Sequence, residues 1–352
     1  MKVRSRISPA KFHSAAARTA AAALVAAVLC AAPALPGASQ EAPDGGFSMP
    51  LNCTLDRDCW IINLPDAGQD DRALDHRCGS RTYNRHEGTD FAVRDFLAVD
   101  EGADVIASAG GVVTAARDGT PEHFLHDEKS SRLVGAKACG NAVIVQHEGG
   151  WESLYCHLRK DSISVALGDR VKRGDKLGQV GMSGRTQFPH VHVEFRRGGK
   201  TINPFTGGPI EEGCRKPERP LWQAAADIRY PEFALYAAGF TDHVPTAQRI
   251  WSSARSPVSM ARHAPALVLW AAMFGVRSGD VLKLRIVDPD GAALAVREVR
   301  MNLAQARTMT SVGRNLQPDG WKPGRWLGEA TLERFVDGRT LSRKIAVPLI
   351  VK

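Results

Sequence analysis

The chain has 352 residues, 43 % of them hydrophobic, with 33 Gly, 20 Pro and 7 Cys, an ordinary globular composition long enough for about two domains. Collagen-like and disordered architectures are excluded. The formal charge of +8 comes from 46 Lys+Arg against 38 Asp+Glu, but five of those bases (Lys2, Arg4, Arg6, Lys11, Arg18) and no acid lie in residues 1–39, which leaves 41 bases against 38 acids and gives no reason to expect a nucleic-acid partner.

Residues 1–39 read as a secretory signal peptide: a basic stretch through Arg18, an apolar run from Thr19 to Ala32, then the small-residue segment PALPGAS. The apolar run is shorter than the roughly 20 residues that cross a bilayer, so no stable membrane span is expected after cleavage. The expected address is periplasmic or secreted. Cys30 leaves with the signal, and six cysteines remain: Cys53, Cys59, Cys78, Cys139, Cys156 and Cys214. An even number in an oxidising compartment suggests up to three disulfides, with 15 pairings open.

From about residue 51 to 215, short Val/Ile-rich runs alternate with Gly and Asp turns, as in DVIASAGGVVTAARDG, GNAVIVQHEGGWESLYCHL and HVHVEFRRGGK. This pattern predicts a mainly β domain built of hairpins. The polar stretch 118–138 reads as a long surface loop. Residues 216–235, rich in Pro and charge near their start, read as a linker. Residues 236–352 begin a second unit, with strands expected in PALVLWAAM, VLKLRIVDPDG, LAVREVRMNL, GRWLGEATLERF and LSRKIAVPLIV; alternation and turns favour a small β-sandwich. The stretch MNLAQARTM is expected as a short helix.

Chemistry concentrates in three places. In HEGTDFAV, a strand reading puts His86 and Asp90 on one face, with Gly88 leaving room between them. In PHVHVEF, His190, His192 and Glu194 alternate with Val191, Val193 and Phe195, so both imidazoles share a face while the apolar side chains enter a core. His157 ends the run LYCHL. A lone histidine is usually structural, and His147 before the EGG turn is read that way. Neutral imidazoles joined by one carboxylate, with a coordination position left for water, are the make-up of a catalytic zinc site.

Taken in order, HEGTDFAV, ADVIASAGGVVTAARDG, GNAVIVQHEGGWESLYCHL, GDRVKRGDKLGQVGMSGRTQFPHVHVEF and INP resemble the LytM/lysostaphin-type zinc metallopeptidases, which cut peptide cross-links in bacterial cell walls. The resemblance covers residues 78–204. It implies a curled antiparallel β-sheet metallopeptidase domain, followed here by the β-sandwich, and one Zn2+ per chain held by His86, Asp90 and His192. It implies further that His157 and His190 lie beside the metal-activated water and the scissile carbonyl as the catalytic pair, and that peptidoglycan stem peptides are the substrate. The loop around Arg185 would overhang the groove. Glu194 shares the strand face but is left outside the site. Two alternatives remain open at this point: a non-catalytic wall-binding or amidase-regulating protein of the same fold, and a zinc protease acting on a protein substrate. The sandwich is open to either a structural role or a protein partner.

Overall fold

The computed structural model describes residues 42–122, 137–223, 228, 233–253 and 255–352. The expected signal peptide and most of the 118–138 loop lie outside these residues. Strands β1 (Cys59–Ile61), β2 (Thr89–Val93), β3 (Asp104–Ile106), β4 (Gly111–Arg117), β5 (Asn141–Gln146), β6 (Trp151–Leu158), β7 (Arg170–Val171), β8 (Lys176–Gln179), β9 (His190–Arg197) and β10 (Lys200–Ile202) make the first part, with the short helix α1 (Phe96–Asp100) after β2. Their main sheet is antiparallel and runs β1-β2-β9-β6-β5-β4-β7, with β10 on β9; β3 and β8 pair separately.

Alternation decides what each strand buries. On β9, Val191, Val193 and Phe195 enter a core with Phe91 and Val93 of β2 and Val143 and Val145 of β5, and Val105 and Leu177 of the small sheet close over it. The opposite face of β9 carries His190, His192 and Glu194. Leu221 and Trp222, inside the stretch expected to be a linker, are buried in the same core, and Trp222 bridges Phe47.

The cysteines pair as Cys53–Cys59, Cys78–Cys214 and Cys139–Cys156. The second closes a sequence separation of 136 residues and the third one of 17, across the start of β5 and the end of β6.

The second part holds β11 (Ala234–Thr241), helix α2 (Ala247–Ser252), β12 (Ser259–Met260), β13 (Ala266–Val276), β14 (Val281–Val287), β15 (Ala293–Arg300), β16 (Gln305–Asn315), β17 (Gly324–Val336) and β18 (Arg339–Val351). A three-stranded sheet β11-β13-β16 faces a five-stranded sheet β12-β18-β17-β14-β15. The short helix expected over MNLAQARTM is corrected: its second half opens β16, because this edge pairs along β13 from Val276↔Gln305 to Ala266↔Asn315. A full ladder outweighs the weak local helix preference of Ala, Gln and Met.

β13 is buried on both faces, as its unbroken apolar run ALVLWAAMFGV requires. Leu267, Leu269, Ala271 and Met273 enter the sandwich core. Trp270, Ala272 and Phe274 turn the other way and pack with Trp60, Ile62, Ala92 and Phe188 of the first part. The two parts therefore form one compact unit.

Candidate metal centre

β2 and β9 are hydrogen-bonded neighbours whose register sets Asp90 opposite His192 and Ala92 opposite His190. On the other side of β9, Cys156 of β6 lies opposite His192, so His157 follows directly beside the same spot. His86 is not on the strand: it precedes β2, after Arg85 in the left-handed region at φ 64°. The i, i+4 spacing thus joins a turn residue to a strand residue. This corrects the expectation of one strand face for both.

The three atoms His86 Nε2, Asp90 Oδ1 and His192 Nδ1 converge at 3.0, 3.0 and 2.9 Å from one another. Together they form a group that could hold a metal ion. The surrounding hydrogen bonds fix which lone pairs point inward. A carbonyl can only accept, so Leu64 O at 2.7 Å takes the proton of His86 Nδ1, and the neutral imidazole then presents Nε2 as a lone pair, while against the opposing effect of burial Asp90 raises His86 above the ordinary histidine value and favours a positive charge at this spot. Asn63 Nδ2 donates to Asp90 Oδ2 at 2.7 Å and turns Oδ1 toward the histidines. Two acceptors, His86 Nε2 and Asp90 Oδ1, then stand 3.0 Å apart, an approach that is repulsive unless a cation or proton lies between them. Tetrahedral zinc with ligands at about 2.0–2.1 Å spaces its donors by roughly 3.3 Å, so the triad needs to open by only a few tenths of an ångström. The residues fit the ion.

Gly88 is part of the same construction. A Cβ there would stand 2.6 Å from His192 Cε1 and Nε2 and 2.6 Å from Val193 O. Only the bare backbone lets the His192 ring lie where it does.

His157 and His190 complete the cluster, with ring centroids 4.7 Å apart. His157 is held in the left-handed region at φ 64°, donates Nδ1–H to Ser183 O at 2.8 Å, and bonds its backbone N–H to Cys139 O at 2.9 Å. His190 donates Nδ1–H to Phe188 O at 2.9 Å, with Thr186 Oγ1 at 3.0 Å, and its Nε2 stands 3.6 Å from Asp90 Oδ1. Both Nε2 lone pairs are therefore available. Burial pushes both imidazoles below the ordinary histidine value, His157 well below it, so both are neutral at pH 7. For Asp90, burial alone would raise the carboxyl, yet the surrounding histidines His86, His190 and His192 hold it well below the usual carboxylate range.

All five residues singled out in the sequence thus meet at one place. Four others that position them were not read there: Asn63 and the carbonyls of Leu64, Ser183 and Phe188. For the first three the signal is a contact across the fold, and no local pattern carries it. Arg185 is exposed on the loop beside the site, its N–H bonded to Ala138 O. Glu194 is buried two residues beyond His192, held by Arg196 at 2.6 and 2.7 Å and by Thr201 at 2.7 Å, and makes no contact with the triad among the described bonds. His147 bridges Gly110 O and Ser153 Oγ at 2.7 and 2.8 Å, a structural role.

An antiparallel β domain thus brings together a two-histidine, one-carboxylate donor set that could hold a metal ion, with two further buried histidines beside it. Residues 84–204 match Peptidase family M23. It is 36 % identical over 126 residues to "DD-carboxypeptidase/endopeptidase Mpg" of Neisseria meningitidis, covering 36 % of this chain and 23 % of that protein. It is 32 % identical over 110 residues to "Peptidoglycan DD-endopeptidase ShyC" of Vibrio cholerae, covering 31 % of this chain and 23 % of that protein. The chain spans about a quarter of the length of these relatives. A solved catalytic domain, a mutant of the prophage-encoded M23 protein EnpA from Enterococcus faecalis, is 25 % identical and covers 37 % of this chain and 84 % of that one at a TM-score of 0.27.

Proposed function

We propose that this protein is an exported, zinc-dependent endopeptidase that hydrolyses the peptide cross-links of peptidoglycan. The observation that carries the reading is the convergence of His86 Nε2, Asp90 Oδ1 and His192 Nδ1 within 3.0 Å, beside two buried neutral imidazoles. The names of the relatives supply the substrate class.

His86, Asp90 and His192 would hold the ion. Zinc there supplies a Lewis acid that polarises the scissile carbonyl and acidifies water. The chain's own residues do the rest. His157 and His190, neutral and with Nε2 free, can take the proton of the attacking water and return it to the leaving amine. Protonated, either also donates a hydrogen bond to the developing oxyanion. Their Nδ1–H bonds to Ser183 O and Phe188 O hold the rings in the tautomer this requires. The exposed Arg185 at the rim is suited to a peptide carboxylate. Export is supported by the signal-like residues 1–39 and by three disulfides, which persist in an oxidising compartment.

The test is mass spectrometry of muropeptides after incubating the purified chain with isolated sacculi, with and without a zinc chelator and beside His190→Ala. Cross-linked dimers should fall to monomers only with the untreated wild type. Persistence of the dimers with folded, zinc-loaded protein would refute the reading.

A further inference from the structure

Among the described residues the sandwich holds no metal-ligating cluster of its own, yet one of its residues grips the peptidase site from behind. Arg307, on β16, is 8 % exposed. Its Nη2 donates to Arg94 O at 2.8 Å, immediately after β2, the strand that carries Asp90. Its Nε donates to Tyr236 Oη at 2.9 Å. Its guanidinium carbon lies 5.9 Å from the centre of the Phe188 ring, 5.3 Å from that of Phe274 and 5.0 Å from that of Trp251. No carboxylate makes a direct ion pair with it among the described residues; aromatic faces, the Arg94 carbonyl and the Tyr236 hydroxyl surround the charge, and the buried Asp95 attracts it from farther off.

Phe188 is the residue that orients His190. Its carbonyl accepts His190 Nδ1–H at 2.9 Å and the Thr186 hydroxyl at 2.8 Å, and its ring centre is 4.7 Å from that of His190. Pro189 O accepts from Val93 N at 3.2 Å, tying this segment to the end of β2. One rigid guanidinium fork therefore touches both pieces of chain whose relative placement sets His190 against Asp90.

We infer that Arg307 is a positioning residue of the peptidase site, and that through it the sandwich completes that site. This rests on the metallopeptidase reading above. Asp95, the buried carboxylate whose charge reaches Arg307, keeps its own partners, Arg94 Nε at 3.2 Å and Ala98 N–H at 2.8 Å, so Arg307→Met leaves no charge without a partner and is expected to fold.

The experiment compares four full-length zinc-loaded variants, Arg307→Met, Phe188→Leu, their double mutant and Leu349→Ala, on a cross-linked muropeptide dimer. Leu349 is fully buried in the sandwich core, away from the interface, so its truncation reports what loss of stability alone does. Arg307→Met and Phe188→Leu should each lower kcat by about tenfold or more with KM within about twofold, since small misplacements of reacting groups are costly. Zinc content should not change. The double mutant should be no worse than the poorer single, because both act on one contact. Leu349→Ala should lower Tm at least as much yet keep kcat within about twofold where all variants are folded.

The inference is overturned if Arg307→Met keeps wild-type kcat, if it loses no more than Leu349→Ala, or if the two single losses multiply. Should the wild type turn nothing over, the metallopeptidase reading fails by itself. The ring-nitrogen NMR shifts of His190 then decide the positioning role: a change in Arg307→Met and not in Leu349→Ala supports it, and no change overturns it.

Discussion

Replacing Gly88 by alanine isolates the construction of the metal site. The added Cβ would lie 2.6 Å from two atoms of the His192 ring and 2.6 Å from Val193 O, where ordinary contact begins near 3.4 Å. Ring and strand must therefore retreat by about 0.8 Å, whereas ligand distances tolerate about 0.2 Å. Gly88 is outside the left-handed region, so the clash is the only penalty that the backbone meets. A displacement of this size should weaken zinc binding by about 100-fold or more, or about 2.7 kcal/mol. The far side of the sheet keeps its packing, so the variant should remain folded. Competition with a fluorescent zinc chelator measures the first quantity, and thermal unfolding of the metal-free protein checks the second. Zinc affinity within about threefold of wild type would refute the assignment of His192 Nδ1 as a ligand.

Asn63→Ala removes the donor to Asp90 Oδ2 and should weaken zinc about 10–100-fold without unfolding the chain, read by the same competition assay. Loss of the Cys139–Cys156 bridge, which closes a separation of 17 residues, should cost about 3 kcal/mol in the chain-entropy account; the double serine variant, followed by urea unfolding, reports it. Since Cys139 O also receives the His157 N–H, activity of that variant should fall in conditions where it remains folded. His76 is buried against Phe205, and burial pushes its imidazole below 6.5. The unfolded chain then takes up a proton near pH 6.5 that the folded chain refuses, so this residue's stabilising share is present above that pH and lost as pH falls toward the lower folded value. In His76→Phe, unfolding free energies measured from pH 7.5 to 5 should decline less steeply than in the wild type; equal slopes would show that burial does not depress His76.

How much of the site was legible follows from how local each signal is. The alternation of PHVHVEF is a property of any strand, so the common face of His190 and His192 needed no tertiary information. HxxxD was recognisable as a unit, but the conformation joining its ends was not. Arg85 adopts a left-handed turn because the structure around it demands one, and that placed His86 before the strand. Glu194 shows the limit of periodicity: it shares the histidines' face, but Arg196, two residues on along the same strand, and Thr201, brought near by the pairing of β10 with β9, engage it away from the triad.

The sequence by itself determined the residue types that can bind zinc, their face on β9, the β-rich hairpins and the even cysteine count. Each depends on composition or on neighbours within a few positions. Only the tertiary structure decided what joins distant segments: the register that sets Asp90 against His192, the carbonyls of Leu64 and Ser183 that accept from His86 and His157, and the pairing of Cys78 with Cys214. The same is true of the burial of β13 on both faces. Its apolar run announced a buried strand, but what lay on the second side, Trp60, Phe188 and through Arg307 the back of the site, depends on long-range packing that no window of sequence contains.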